Sequence, residues 1–591
     1  MSLHTDIPVL LLIFAPLVAA VISLVGKFFS PRYSILPAFA VWFGGSVWAL
    51  FASGGPILAG NSLLYTIGGW VEPYGITLEV NGLTWIATLT DILIGTTAWL
   101  QTRRYRRFDP LFYFFFFMAL FSLQGVLYTR DLFNLFVWFE VLSLSSFMLI
   151  TYDQKRTTYV AAVRYLLVST VSILFFLLGV WILYIFTGSL SLPAIAAVIS
   201  KAAAENGGVS GEIGLAVALM SGGILTRAAV VPFHTWLPEA HAAAPYPISA
   251  LLSGFVIKAP MLALWRIYDY ISFPLMNELL VWIGCICALA GVAAAMVQGD
   301  AKKLLGYHSV SQMGYIVAAF GVGGPAGKAA SLFYIIGHAL FKSLLFLTVG
   351  RVTERISNRN VYEIRGMGRV FPIPALLFMV AAFSISGVPL FAGFTAKLLV
   401  SKALYSHSLA YWMLTLAGVG TAASFFKLGR IFIGSEPRGD GGTLRYLPPD
   451  ISTSKTAGTF ANLGTAVLAG GCLLMGIIPA YAHRLFLRLI AAGENITALH
   501  NSNPGALEKS VDSSLESSGA ANSLLQWYTA SEIIKTSIVL AAGFLISLFL
   551  ISGPGKNLAH FLRAQSLGLN GSLRLLTAGF LFFILYGVLF Y

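Results

Sequence analysis

The chain has 591 residues, of which 57% are hydrophobic and only 10% charged, and its formal net charge is +13. A soluble protein carries about 25% charged residues, so this composition excludes an ordinary soluble enzyme. The basic residues fall in short loops between apolar runs, a pattern that orients membrane helices and excludes a nucleic-acid surface.

Apolar runs long enough to cross a bilayer, about 18 residues or more, recur along the whole chain. The fold class expected is an all-α polytopic membrane protein of sixteen spans: 7–25, 33–52, 82–101, 110–128, 131–151, 160–187, 211–236, 246–270, 277–298, 304–322, 328–350, 370–402, 408–434, 459–487, 532–552 and 574–591. The first run has no basic segment before it and reads as an uncleaved first helix. Residues 62–81 alternate apolar and polar positions around Pro73-Tyr74-Gly75 and predict a short surface hairpin. Two polar stretches follow later. Residues 435–458 read as a loop on the basic side, and residues 490–531 are the segment expected to move most. The link between the last two helices, 553–573, is short and weakly amphipathic. Cys285, Cys287 and Cys472 lie inside apolar runs without metal-ligand spacing and read as packing residues.

Lysines and arginines cluster in alternate loops, from Lys27 and Arg32 through Arg103–Arg107, Lys302, Lys303 and Arg351–Arg369. The positive-inside rule makes that side cytoplasmic and turns both termini outward. Two helices carry similar interruptions. The first has Arg227 followed by Pro232 and Pro238; the second has SISGVPLFAGFTAK with Pro389, Gly393 and Lys397. Paired broken helices point to inverted repeats and a midplane site; the alternative is two prolines that merely kink packed helices. The expected organisation is 1–109 as three N-terminal helices with the hairpin, 110–270 and 271–434 as two inverted repeats, 435–531 as helix 14 with polar loops, and 532–591 as a two-helix extension.

Charges inside a membrane are expensive and mark ion paths. Glu140 stands mid-helix in LFNLFVWFEVLSLSSFML, with Arg227 and Lys258 as candidate partners. Lys258 is isolated in LLSGFVIKAPMLAL, and desolvation disfavours a charged group. His338 and Lys342 share one helix face through their i, i+4 spacing. Lys397 follows the second break. Alternatives stay open: a fixed ion pair for Glu140, snorkelling for Lys258, a core histidine at His338. Asp300, Lys302 and Lys303 read equally as a solvated helix cap or an access point, and Asp91 has no assigned role. His234, His241 and His308 rank below His338. No metal spacing, nucleophile elbow or cofactor motif stands out, and GVGGPAG at 321–327 lacks the strand that a phosphate loop requires.

FNLFVWFEVL, VVPFHTWLPEAH, SALLSGFVIK, KKLLGYHSVSQMGY, HALFKSLLFL and GVPLFAGFTAK together resemble the antiporter-like membrane subunit family. That family comprises large subunits of Mrp-type sodium/proton antiporters and proton-pumping subunits of complex I and membrane-bound hydrogenases; the wording DLFNLFVWFE is most similar to the D-type Mrp subunit. The resemblance covers about residues 80 to 430. It implies fourteen core helices with two inverted five-helix repeats. It also implies proton translocation through Glu140, Lys258, His338 and Lys397, beside other membrane subunits, with H+ and Na+ as candidate ions, in a prokaryotic plasma membrane. Two features depart from it. Arg227 stands where the family carries lysine, and two C-terminal helices exceed the D-type pattern. Three functions therefore compete: an antiporter subunit, a pump driven by redox chemistry in a partner, and a non-conducting structural subunit. None gives the chain a catalytic centre or cofactor of its own.

Overall fold

A computed structural model describes residues 3–29, 31–104, 108–206, 211–271, 274–434, 455–498 and 527–564, with scattered positions between 574 and 585. Among the described residues the secondary structure is helical apart from one hairpin. Helices α1 (Leu3–Phe29) and α2 (Pro31–Leu58) lead into strands β1 (Leu63–Thr66) and β2 (Thr77–Val80), the expected hairpin, paired antiparallel with Leu63 opposite Val80. Arg130 anchors the hairpin. It faces Glu79 at 3.6 Å and Glu72 at 3.9 Å and donates to the Tyr270 hydroxyl at 2.7 Å.

Local signals set the helix starts. In α3 (Gly82–Thr102), Asn81 and Thr84 form a reciprocal capping box. Asp109 caps α4 (Pro110–Tyr128) with proline in the first turn, and Asp131 caps α5 (Leu132–Ile150). After α6 (Arg156–Thr187) comes α7 (Leu192–Asn206), a helix absent from the expected spans. Helix α8 (Gly211–Arg227) stops at Arg227, nine residues short of the expected 236, and residues 228–235 are non-helical. Pro238 does not interrupt anything: it lies in the first turn of α9 (Trp236–Ala243), where its missing N–H is not needed.

The expected continuous helix 246–270 is also broken. Helix α10 (Tyr246–Leu251) passes into a π-helical turn at Leu252–Val256, and α11 (Ala259–Tyr270) resumes beyond Lys258. Helices α12 (Pro274–Val297), α13 (Ala301–Gly321) and α14 (Gly324–Ile356) follow. The second expected break occurs between α15 (Pro372–Ser386) and α16 (Ala392–Ala403), where Gly387 adopts φ of 84° to end α15. Helices α17 (Ser408–Gly429), α18 (Lys455–Ile477) and α19 (Pro479–Ala498) complete the core. The expected single helix 459–487 is thus two helices meeting at Pro479, and the polar segment begun at 490 is helical to 498. Residues 435–454 and 499–526, which hold most of both polar stretches, lie outside the described residues. The extension gives α20 (Ala530–Ile551) and α21 (Gly553–Ala564), the second being helix where a weakly amphipathic link was expected. Leu558, Phe561 and Leu562 line one side of α21 and Lys556 and Arg563 another. The expected span 574–591 lies mostly outside the described residues.

Twelve described helices are long and apolar enough to cross a membrane. The four missing from the expected sixteen have separate reasons. The helices interrupted at 228–235 and 387–391 fall into pieces too short to count, α13 is made polar by His308, Ser309, Ser311 and Gln312, and the last span lies mostly outside the described residues. An 18-residue stretch within each of the segments 246–270 and 324–356 is wholly enclosed, while Phe51, Trp181 and Trp412 project outward from peripheral helices. Helix α14 is central, packing against α3, α10, α13, α15, α16, α18 and α19.

Candidate functional site

The first charged cluster forms where α8 ends. Arg227 is buried, and its guanidinium forks across α5: Nη2 donates to Glu140 Oε1 at 3.0 Å, and Nη1 donates to Ser143 Oγ at 2.6 Å and the Phe139 carbonyl at 3.1 Å. The cation also lies 4.9 Å from the Phe139 ring. Of the two candidate partners for Glu140, the structure selects Arg227 over Lys258. It also corrects the expectation of an enclosed carboxylate, because the Glu140 side chain is 42% exposed on the flank of the bundle. Arg227 thus sits at the negative C-terminal end of a half-helix, a favourable place for a fixed cation.

Lys258 lies at the centre. A π turn leaves carbonyls without their usual helical donors, and Lys258 Nζ donates to the Ser253 carbonyl inside that turn. The turn is pressed between α3 and α14: a Cβ on Gly254 would meet Ser343 Oγ at 2.3 Å and Ile94 at 3.0 Å. On α14, Lys342 Nζ donates to the Leu305 carbonyl of α13. His338, one turn away, is fully buried with neither ring nitrogen hydrogen-bonded. The expected His338–Lys342 face therefore exists, but the two side chains are not bonded to each other. Lys258 and Lys342 are ionisable neighbours of His338.

His241 and His308, expected to matter less than His338, lie on the same buried line. Each is fully enclosed with both ring nitrogens unpartnered. Lys342, Lys302 and Lys258 all act on His241, whereas Lys342, Lys427 and Lys397 act on His308. Gly306 lets α9 approach α13, since a Cβ there would touch Pro238 Cα at 2.8 Å. Lys427 was missed entirely, although its signal was present as a lone lysine in GTAASFFKLG; it is buried and donates to the Met296 and Gln298 carbonyls.

Lys397 ends the line. Its Nζ donates to the Ile385 carbonyl at 2.9 Å, at the C-terminal end of the broken α15, and lies 5.9 Å from the Tyr315 ring. Among the described residues, no carboxylate lies within ion-pairing distance of Lys258, Lys342, Lys397 or Lys427. Asp91, left without a role, is buried in α3, where it accepts from Gln124 Nε2 at 2.7 Å.

Two pockets meet the ends of the row. A pocket of about 590 Å³ opens on the side of the basic loops, lined by Asp153, Glu239, Asp300, Lys302, Lys303 and Arg359 among others. Asp300 caps α13, Lys303 pairs with Glu239 at 2.8 Å, and Lys302 turns inward to donate to the Ala244 carbonyl. The cap and access readings of this triplet therefore coexist. A smaller pocket of about 90 Å³ reaches Lys397 from the opposite side. His234, between α8 and α9, has an unpartnered Nδ1, and its ring centroid lies 6.4 Å from that of Tyr307 on α13.

A family model described as NADH:quinone oxidoreductase/Mrp antiporter, TM, matches residues 129–424. The chain is 30% identical over 442 residues to NADH-quinone oxidoreductase subunit N of Desulforudis audaxviator, covering 72% of this chain and 86% of that one. It is 26% identical over 374 residues to the D-type Na(+)/H(+) antiporter subunit of Bacillus subtilis, covering 62% and 75%. In fold it is similar to a chain of the Mrp complex from Dietzia sp., with a TM-score of 0.73 and 23% identity, over 83% of this chain and 97% of that chain.

Proposed function

The chain belongs to the NADH:quinone oxidoreductase/Mrp antiporter family, and on that premise we propose that it is the proton- and cation-translocating membrane subunit of a multisubunit Mrp-type antiporter in a prokaryotic plasma membrane. The observation that carries this reading is the row Lys302, His241, Lys258, His338, Lys342 and His308, buried across the bundle centre with Lys397 half-buried at its end, each lysine held by a backbone carbonyl. An ammonium bonded only to carbonyls has neither charge state locked by a counter-ion, so it can give up and regain a proton. Unpartnered histidines between such groups are suited to pass protons on. The two broken helices are read as corresponding members of inverted repeats 110–270 and 271–434, each turning a half-helix C-terminus towards a cation.

Arg227 has another part. Arginine stays protonated at accessible pH, so it cannot relay; it pairs with Glu140 as a fixed charge on the flank of the bundle. Transfer concentrates on Lys258, His338, Lys342 and Lys397. A redox-driven pump is the second reading, favoured by the name of the Desulforudis relative. The two separate in one experiment. The purified complex is sealed into vesicles with a pH dye, and Na+ or K+ is added without any electron donor. Cation-dependent pH change supports the antiporter. Proton movement only when an electron donor is supplied overturns it in favour of the redox-driven pump.

A further inference from the structure

The C-terminal extension reaches the site. Helix α20 lies along α17 at glycine-spaced contacts: a Cβ on Gly543 would meet Ala422 Cβ at 2.5 Å and the Val419 carbonyl at 2.9 Å, and the Phe426 and Phe544 rings are 5.3 Å apart. This close fit sets the first turn of α20 over the small pocket that opens from Lys397. The wall of that pocket includes Lys397 and Gly387 from the broken helix, Tyr411 from α17, and Glu532, Lys535 and Thr536 from α20. Its volume of about 90 Å³ holds about three waters, at roughly 30 Å³ each.

Glu532 is not occupied as its sequence position suggests. Thr529-x-x-Glu532 is a capping-box pattern, and Thr529 does cap α20 by accepting from the Glu532 N–H at 3.4 Å. The Glu532 carboxylate instead accepts from Lys535 Nζ at 2.9 Å. It is 29% exposed, so it borders both the pocket and solvent.

We propose that α20 completes the outer mouth of the Lys397 site, with Glu532 exchanging protons between Lys397 and the solvent on the face opposite the basic loops, and Lys535 positioning Glu532. This rests on the reading of Lys397 as a translocating residue. In the outward step the Lys397 N–H bond breaks and its proton passes along pocket water. An O–H bond forms on the Glu532 carboxylate, and the acid then releases the proton to solvent. Besides Lys535 on its own helix, the titratable groups around this mouth are Lys397 on α16, Tyr411 on α17 and Tyr315 on α13.

The test uses the whole complex in oriented vesicles, with transport recorded against the pH of the outer face. Glu532→Gln slows transport on the order of tenfold and flattens the outer pH profile. This is less than the hundredfold or more of a fully enclosed proton-transfer group, because water still enters the mouth. Glu532→Asp restores most of the rate. A Glu532→Gln profile that superimposes on the wild type overturns the proposal. Lys397→Ala separates the two readings. If it abolishes transport while Glu532→Gln leaves the profile unchanged, only the mouth assignment fails; if it transports normally, the underlying route fails. Should Glu532→Gln not assemble, Thr536→Cys in the assembled complex is treated with a bulky, membrane-impermeant maleimide. Block of transport supports the mouth, and full transport after complete labelling overturns it.

Discussion

Removing the charge of Glu140 tests how the bundle holds a fixed arginine. At 3.0 Å the Glu140–Arg227 attraction amounts to about 5 kcal/mol at an effective dielectric of about 20. Arg227 keeps the Ser143 hydroxyl and the Phe139 carbonyl as acceptors, which reduces what is lost, and Glu140 stands 42% exposed on the flank of the bundle rather than enclosed by it. Glu140→Gln should therefore destabilise the subunit by about 2 kcal/mol, below the roughly 3–5 kcal/mol of a fully buried broken pair. Arg227→Gln should cost more, about 3 kcal/mol, because it strips a donor from three acceptors at once. The double variant should be about 2 kcal/mol more stable than the sum of the single losses implies. Reversible unfolding of the four proteins in mixed micelles with increasing SDS gives the cycle. Losses that add within about 0.5 kcal/mol would refute the coupling.

Arg227→Lys should assemble, since one ammonium can still reach Glu140, but its transport–pH profile should differ because a titratable group replaces a permanent charge; a profile superimposed on the wild type removes the fixed-charge role. Gly393→Ala places a Cβ 1.7 Å from the Ser384 carbonyl. It should force the α15–α16 break apart at a cost of about 3 kcal/mol or more, seen as a lowered Tm with transport lost; an unchanged Tm would contradict the packing. His483, on α19 outside the spans, is held down at about 4 by burial first and the Lys402 ammonium second. Its neutral form is the folded one, so this part of the stability is present above pH 6.5 and lost as pH falls towards 4. Hydrogen exchange of 479–498 should therefore show easier opening at about pH 5 than at about pH 7 in the wild type, and the difference should shrink in His483→Gln. Equal opening at both pH values would refute it.

Much of this site was legible because hydrocarbon makes charge conspicuous. Lys258, His338, Lys342 and Lys397 stood out as lone polar residues in apolar runs, and each lies in the bundle interior or faces a pocket. The breaks were legible through Pro232 and Pro389. The π turn at 252–256 was not, because a change of helical register leaves no mark on the composition of LLSGFV. Helix α7 escaped because its alanine-rich sequence is too short and polar to resemble a span. The roles of His241 and His308 depend on tertiary packing, which only folding brings together. So does the exposure of Glu140: an apolar neighbourhood in sequence does not tell whether a helix flank faces the core or the outside.

Proton flux through the assembled complex carrying Lys258→Ala tests the central claim most directly. Lys258 bonds the π turn at the Ser253 carbonyl, but the turn is also packed through Gly254 against Ser343 and Ile94, and that packing remains in the variant, so assembly should survive. The account predicts that cation-coupled proton movement in vesicles is abolished while the complex purifies intact. Near-wild-type flux in that intact complex would contradict it.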